Sequence, residues 1–377
     1  MREAGKALSP LHVHGARIAR APSIRSFTWQ GALVGGDGVD LFDLKVEPSH
    51  LHPGFRRLLD QSLGAERAVL AGWASGFCDR DGKFVKEFQT TFESSLWELY
   101  LHAVLKELGL GTDYAHHAPD FLVTAPICFT MEASIAAPPL GGAPAIGAGV
   151  PEIPDDLNEF NREATVRACN SISSKLKRYR EHYSTLAHVR DRPFVLALAP
   201  YDRPLSYMEF DRPIQAALYG RHIDEERTIA EGLSSVIEQE IATVSKRPGV
   251  DVPVGLFCSD VCKEISAVVY SPIAGWGKVR ALADSPDEPS LYMTQHESTR
   301  SSMPDVRRAR KRDYSEHLLD GLHVLHNPFA EHPLPVDALQ HPCVSQDWIG
   351  PDGCHFRSRP EGFLMLRQIF GVSIKPA

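Results

Sequence analysis

Residues 118–134 read APDFLVTAPICFTMEAS. Two short apolar runs, DFLVTA and ICFTMEAS, are rich in Val, Ile, Phe and Thr, residues that suit a pleated, half-buried surface, so both predict strands. A polar, proline-marked break separates them. Asp120 stands at the edge of the first run and Glu132 near the end of the second. Neighbouring strands lie about 5 Å apart, so the two carboxylates can converge. Ser134 follows where a further charge is expected.

The segments on either side place these strands in an α/β architecture. Before them, TTFESSLWELYLHAVLKELGLG (90–111) predicts a helix with Thr90 or Thr91 as its cap and Gly109 as its stop. Phe92, Leu96, Leu99 and Ala103 form one apolar stripe, and Trp97, Leu101, Val104 and Leu108 a second, so the helix is buried on two sides. Ser95, Glu98 and His102 share the polar strip between them. After the strands, residues 136–157 are dense in Pro, Gly and Ala and predict a long mobile loop beside Glu132. Residues 158–184 predict a second helix, buried along Thr165, Cys169, Ile172, Leu176, Tyr179 and Tyr183 and basic on its outer face. RPFVLALAPY (192–201) is apolar throughout, the signature of a strand covered on both faces. FDRPIQAALYG (210–220) predicts a short helix.

The flanks divide the chain into three parts. Residues 1–83 read as strand-rich: GALVGGDGVDLFDLKV (31–46) as a hairpin, and AERAVLAGWASGFCDRDGKFV (65–85) as two strands around a turn at 79–82. Residues 84–220 form the core, a mixed central sheet flanked by the helices of 91–108 and 158–184, with the N-terminal strands extending that sheet. Residues 221–377 form a C-terminal lobe. There, 225–246 reads as helical, ISAVVYSP (265–272) and GKVRAL (277–282) as paired strands, and DVRRARKRDYSEH (305–317) as an exposed basic segment.

At 377 residues the chain is long enough for a substantial core. Its net charge of −8 argues against a uniformly basic surface, although local patches decide nucleic-acid binding. The first 26 residues have basic side chains but no apolar h-region, so they do not read as a secretory signal. No run of about 18 apolar residues predicts a membrane span. Seven cysteines, an odd number, fit reduced thiols in a cytoplasm. Cys258 with Cys262, and Cys343 with Cys354-His355, also allow a zinc reading, against buried free thiols. His116 and His117 stand just before Pro119 and allow contact with a substrate or metal. Walker-type loops, G-x-S-x-G, H-E-x-x-H and the Rossmann fingerprint do not occur.

The order helix with Glu98, strand edge with Asp120, strand with Glu132, basic helix, apolar strand resembles the restriction-endonuclease-like, or PD-(D/E)XK, nuclease superfamily over roughly residues 85–220. The motif is PDFLVTAPICFTMEAS, with Pro119-Asp120 and Glu132-Ala133-Ser134, as in a bacterial subgroup with E-x-S in place of E-x-K. The resemblance implies a restriction-endonuclease-like core and metal-dependent phosphodiester hydrolysis of nucleic acid, DNA foremost, in bacterial defence or restriction. It implies Mg²⁺ or Mn²⁺ on Asp120 and Glu132, with Glu98 as a third oxygen donor. A protein partner in a defence system and a homodimer, since two strands need two sites, belong to the same implication.

The family's lysine falls at Ser134, which carries no charge. Lys175, at the border of the second helix's buried face, is the candidate replacement, its stem running along apolar surface. Lys177 and Arg178 point outward as phosphate contacts. Arg307, Arg308, Arg310 and Lys311 form a further candidate nucleic-acid surface. The alternative is an inactive nuclease-like scaffold that binds nucleic acid or a protein partner.

Overall fold

Glycine and proline punctuation sets the order of the elements. The computed structural model describes residues 39–147, 152–232, 235–298, 300, 303–350 and 352–371. Four helices come first: α1 (Pro53–Leu58), α2 (Gly64–Ala74), α3 (Phe84–Thr90) and α4 (Phe92–Glu107). Three strands follow: β1 (Gly111–Asp113), β2 (Phe121–Ala125) and β3 (Phe129–Ile135). Helix α5 (Leu157–Glu181) is capped by the Asp156 carboxylate, which accepts the Glu159 N–H at 2.8 Å. Strand β4 (Phe194–Ala199) is buried at every residue, and α6 (Arg212–Tyr219) ends at Gly220, whose φ of 68° is the left-handed stop that favours glycine.

The rest of the chain alternates short elements: β5 (Arg221–Asp224), α7 (Glu225–Ala230), β6 (Ile237–Glu240), β7 (Thr243–Arg247), β8 (Val250–Pro253), β9 (Ala267–Tyr270) and α8 (Trp276–Leu282). Strands β10 (Ser290–His296), β11 (Asp305–Arg310), β12 (Leu322–His326), β13 (Val344–Ile349), β14 (His355–Ser358) and β15 (Leu364–Gly371) complete it.

One eight-stranded mixed sheet organises these elements, in the order β1-β2-β3-β4-β9-β12-β13-β14. Strands β1, β2 and β3 form an antiparallel meander. β3, β4 and β9 run parallel, and β12 is antiparallel to β9. The period of two in β4 supplies both cores. Val195, Ala197 and Ala199 pack with the α1–α4 helices on one face, while Phe194, Leu196 and Leu198 pack with α5 and α6 on the other. Trp97 of α4 is fully buried, and its indole N–H donates to the Ala197 carbonyl at 3.0 Å. This bond pins the helix carrying Glu98 to the central strand.

The α/β expectation therefore holds, with its mixed central sheet and flanking helices. Several elements differ. The strands read over 65–85 are helices α2 and α3: Leu70, Trp73 and Ala74 are buried at helical spacing. Residues 31–38 of the expected hairpin lie outside the described residues, and 39–46 carry no strand. No described strand before β1 extends the sheet. The C-terminal part is no separate lobe either, because β9, β12, β13 and β14 complete the same sheet.

Within that part, GKVRAL is helix α8 rather than a strand. The helix expected over 225–246 stops at Ala230 and gives way to β6 and β7. The loop after β3 is anchored where it is described: Ile146 is buried, and its N–H donates to the Glu93 carboxylate at 2.7 Å.

Candidate active site

The alternation of β3 decides what its carboxylate faces. Thr130, Glu132 and Ser134 share the face toward α5, and Met131 packs in the core on the α4 side. On α5, residues 171 and 175 are one turn apart, which matches residues two apart on the strand. Ser134 Oγ meets Ser171 Oγ at 2.9 Å, and Lys175 Nζ donates to Glu132 Oε1 at 2.6 Å and to the Ala133 carbonyl at 3.2 Å. An ammonium thus reaches Glu132 from the helix, and Ser134 hydrogen-bonds to Ser171 of α5.

Asp120 comes to the same residue from the neighbouring strand. Its Oδ2 accepts the Ala133 N–H at 2.7 Å, so Ala133 is held by Asp120 on its N–H and by Lys175 on its carbonyl. Glu132 is 3% exposed. Its Oε1 also accepts the Tyr183 hydroxyl at 3.1 Å and lies 3.9 Å from Arg178, while its Oε2 is buried with no hydrogen-bond partner.

Burial raises the Asp120 carboxyl to about 7, with the Glu132 charge adding to it and Ala133, Lys175 and Arg80 opposing. Burial likewise raises Glu98 to about 8, followed by repulsion from Asp120, with Arg80 opposing. Glu98 therefore belongs to the field of the site. It does not pair with His102, whose ring instead meets the Tyr114 hydroxyl at 2.6 Å and the Ser75 carbonyl at 3.3 Å.

Glu98, Asp120 and Glu132 do not bring three oxygens within 4.8 Å of one another. Among the described residues only His317, His341 and Cys343 form such a group of possible ligands. The chemistry of the three groups, though not their spacing, is of the kind a hard divalent cation takes. The set is all carboxylate, one Glu132 oxygen is orphaned, and the acids repel one another.

Beside Glu132 an open cleft of about 860 Å³ is lined by Lys177, Arg178, Glu181, His182 and Tyr183. The Arg178 guanidinium lies over the Tyr183 ring, 5.2 Å from its centroid. Lys177 is exposed and pairs loosely with Glu181 at 3.7 Å. His116 stacks on His188 at 3.7 Å between ring centroids.

Two site residues were missed by sequence reasoning. Arg80, in the Asp79–Gly82 turn, donates to the carbonyls of His116 at 2.5 Å and Pro119 at 3.4 Å and so braces the segment before Asp120. Tyr183 was visible only as part of an apolar face, and nothing in the sequence marks its hydroxyl.

The basic segment divides. Arg307, Arg308 and Arg310 are exposed on β11, an edge strand of the small β11-β10-β15 sheet. Lys311 is not a surface contact: it is buried, donates to the carbonyls of Arg280 and Ala281 at 2.8 Å each, and lies over the Tyr292 ring. Its four-carbon stem lets it fold inward at the end of the strand. Among the described residues the pairings read from spacing do not form: Cys258 is exposed and Cys262 buried, His355 lies 3.3 Å from Asp347, and Cys343 stands with His317 and His341 rather than with Cys354 and His355.

Compared with known proteins, the chain matches no family model, no curated protein and no solved structure. Among the described residues no helix is long and apolar enough to cross a membrane.

The raised carboxyls make a pH prediction. Asp120 and Glu98 keep their protons to higher pH when folded than when unfolded, where carboxyls titrate near 4. The folded state then binds more protons between about pH 4 and the folded values. The stability they contribute is complete below that window and is lost as pH rises through about 7 for Asp120 and about 8 for Glu98. In metal-free urea titrations, the wild type should be less stable at about pH 8.5 than at about pH 5.5. Asp120→Asn should shrink that difference, and an unchanged difference would show that neither burial nor its acidic neighbours raise the Asp120 carboxyl.

Proposed function

We propose that this chain is a metal-dependent nuclease that hydrolyses phosphodiester bonds, with DNA as substrate in a bacterial defence or restriction setting. One observation carries the reading: Lys175 bridges Glu132 and the Ala133 carbonyl, while Asp120, just before β2, holds the Ala133 N–H, so an amine and two acids from separate parts of the chain meet at one point of β3. The order of elements around them, α4, the β1–β3 meander, α5 and β4, is the order the family resemblance expects. Asp120 and Glu132 would hold Mg²⁺ or Mn²⁺, with Glu98 behind them. When bound, such a cation supplies positive charge to the phosphoryl oxygens and acidifies a water. Lys175, held by Glu132 and the Ala133 carbonyl, orients that water or neutralises charge growing on the phosphate. Arg178 and Lys177, on the rim of the cleft, bind the flanking phosphates.

The test is incubation of the full chain with plasmid and single-stranded substrates in Mg²⁺ or Mn²⁺, beside Asp120→Ala. Cutting by the wild type and none by the variant supports the nuclease. Absence of cutting by both, with salt-sensitive binding retained, replaces it with a nuclease-like scaffold that only binds.

A further inference from the structure

We propose that His317, His341 and Cys343 bind one Zn²⁺ ion, with the Glu107 carboxylate as fourth ligand, and that this ion clips the C-terminal end of α4 to the loops entering β12 and β13. The proposal is independent of the nuclease reading. The two loops reach the same end of the sheet because β12 and β13 are parallel neighbours, with Leu322 opposite Val344. His317 lies five residues before Leu322, and His341 and Cys343 directly precede Val344. One nitrogen of each ring and the Cys343 sulfur lie within 4.8 Å of one another.

The imidazoles stack with centroids 5.1 Å apart and planes 13° from parallel, which fixes their orientation before any ion arrives. Glu107 Oε1 lies 3.2 Å from His317 Nε2, so the last residue of α4 already stands at the cluster. All three ligands are half-buried, open enough for an ion to enter yet enclosed enough to hold it.

A mixed imidazole, imidazole, thiolate set with one carboxylate suits four-coordinate zinc, whereas Mg²⁺ and Ca²⁺ prefer oxygen alone. Nδ1 of each ring now accepts a local backbone N–H, from Leu319 at 3.2 Å and Cys343 at 3.1 Å. Binding through Nε2 moves the ring proton to Nδ1 and gives up these two long bonds in exchange for metal–ligand bonds. Asp320, which accepts the His317 N–H at 2.7 Å, holds the loop in place as it does so.

The full chain, stripped with a chelator, is titrated with Zn²⁺ against a chromophoric competitor and with Co²⁺ as an optical probe. About one equivalent should bind, and Co²⁺ should show a thiolate charge-transfer band. Cys343→Ser should abolish that band, and His341→Ala should weaken Zn²⁺ binding at least about 100-fold. Cys258→Ser and Cys354→Ser should change neither. Stoichiometry well below one in the wild type, or a band that survives Cys343→Ser, overturns the site. Far-ultraviolet dichroism separates lost binding from lost folding.

Discussion

Replacing Glu316 by Ala is expected to lower stability by about 3–5 kcal/mol, because it strands two cations in the interior. Lys278 is fully buried and Arg367 nearly so. Both pair with Glu316 Oε1, Arg367 at 2.5 Å, and the Tyr314 hydroxyl donates to Oε2 at 2.5 Å. The cations have further partners: Lys278 donates to the carbonyls of His317 at 3.0 Å and Asp320 at 2.8 Å, and Arg367 to that of Ile273 at 2.7 Å. Those neutral acceptors solvate the two charges without neutralising them. The contrasting variant is Lys278→Met, which removes one charge and leaves the Glu316–Arg367 pair balanced. It should cost less than Glu316→Ala. Urea unfolding of both variants, with the denaturant slope unchanged, measures the difference. A Glu316→Ala loss within about 1 kcal/mol would mean that Lys278 sheds its proton, the direction in which burial already drives it.

The helices α4 and α5 and the strands β2, β3 and β4 were legible because their side-chain periods are strong and their ends are marked by caps, Gly or Pro. Helix α2 was misread because a short apolar run ending at a Gly-marked turn was taken for a strand, although its alanines and leucine favour a helix. The spacing of Leu70, Trp73 and Ala74 distinguishes the two. Residues 237–246 were read as part of a helix over 225–246, yet the short runs there form β6 and most of β7, which pair with β5 and β8 in two narrow two-stranded sheets.

The burial of Lys278 and Lys311 was invisible, since a lysine's type says water-facing and only tertiary partners supply the carbonyls that hold its ammonium inside. At the candidate site, the reach of Lys175 to Glu132 could be read from the helical wheel, and the pairing of the two strands brings Asp120 to the Ala133 backbone next to Glu132. Arg80 and Tyr183 could not be read, because their roles depend on a turn and a helix end folding back over the sheet.

Lys175→Met is expected to lower the turnover of the proposed nuclease about 10²–10³-fold, the usual effect of removing one charged group aimed at developing negative charge. The loss should fall on kcat rather than KM, because phosphate binding rests on Lys177 and Arg178 at the cleft rim. Lys175→Arg should recover little, since a planar fork cannot reproduce the point contact an ammonium makes with both Glu132 Oε1 and the Ala133 carbonyl. The sharper test moves the amine. Ser134 lies on the α5-facing side of β3, two residues beyond Glu132, so Ser134→Lys added to Lys175→Met returns an ammonium to the strand. If the amine has moved from strand to helix, the double variant should regain at least about 10-fold over Lys175→Met alone. Turnover of Lys175→Met within about threefold of wild type would instead leave Lys175 as a mere counter-ion that keeps Glu132 charged in its buried place.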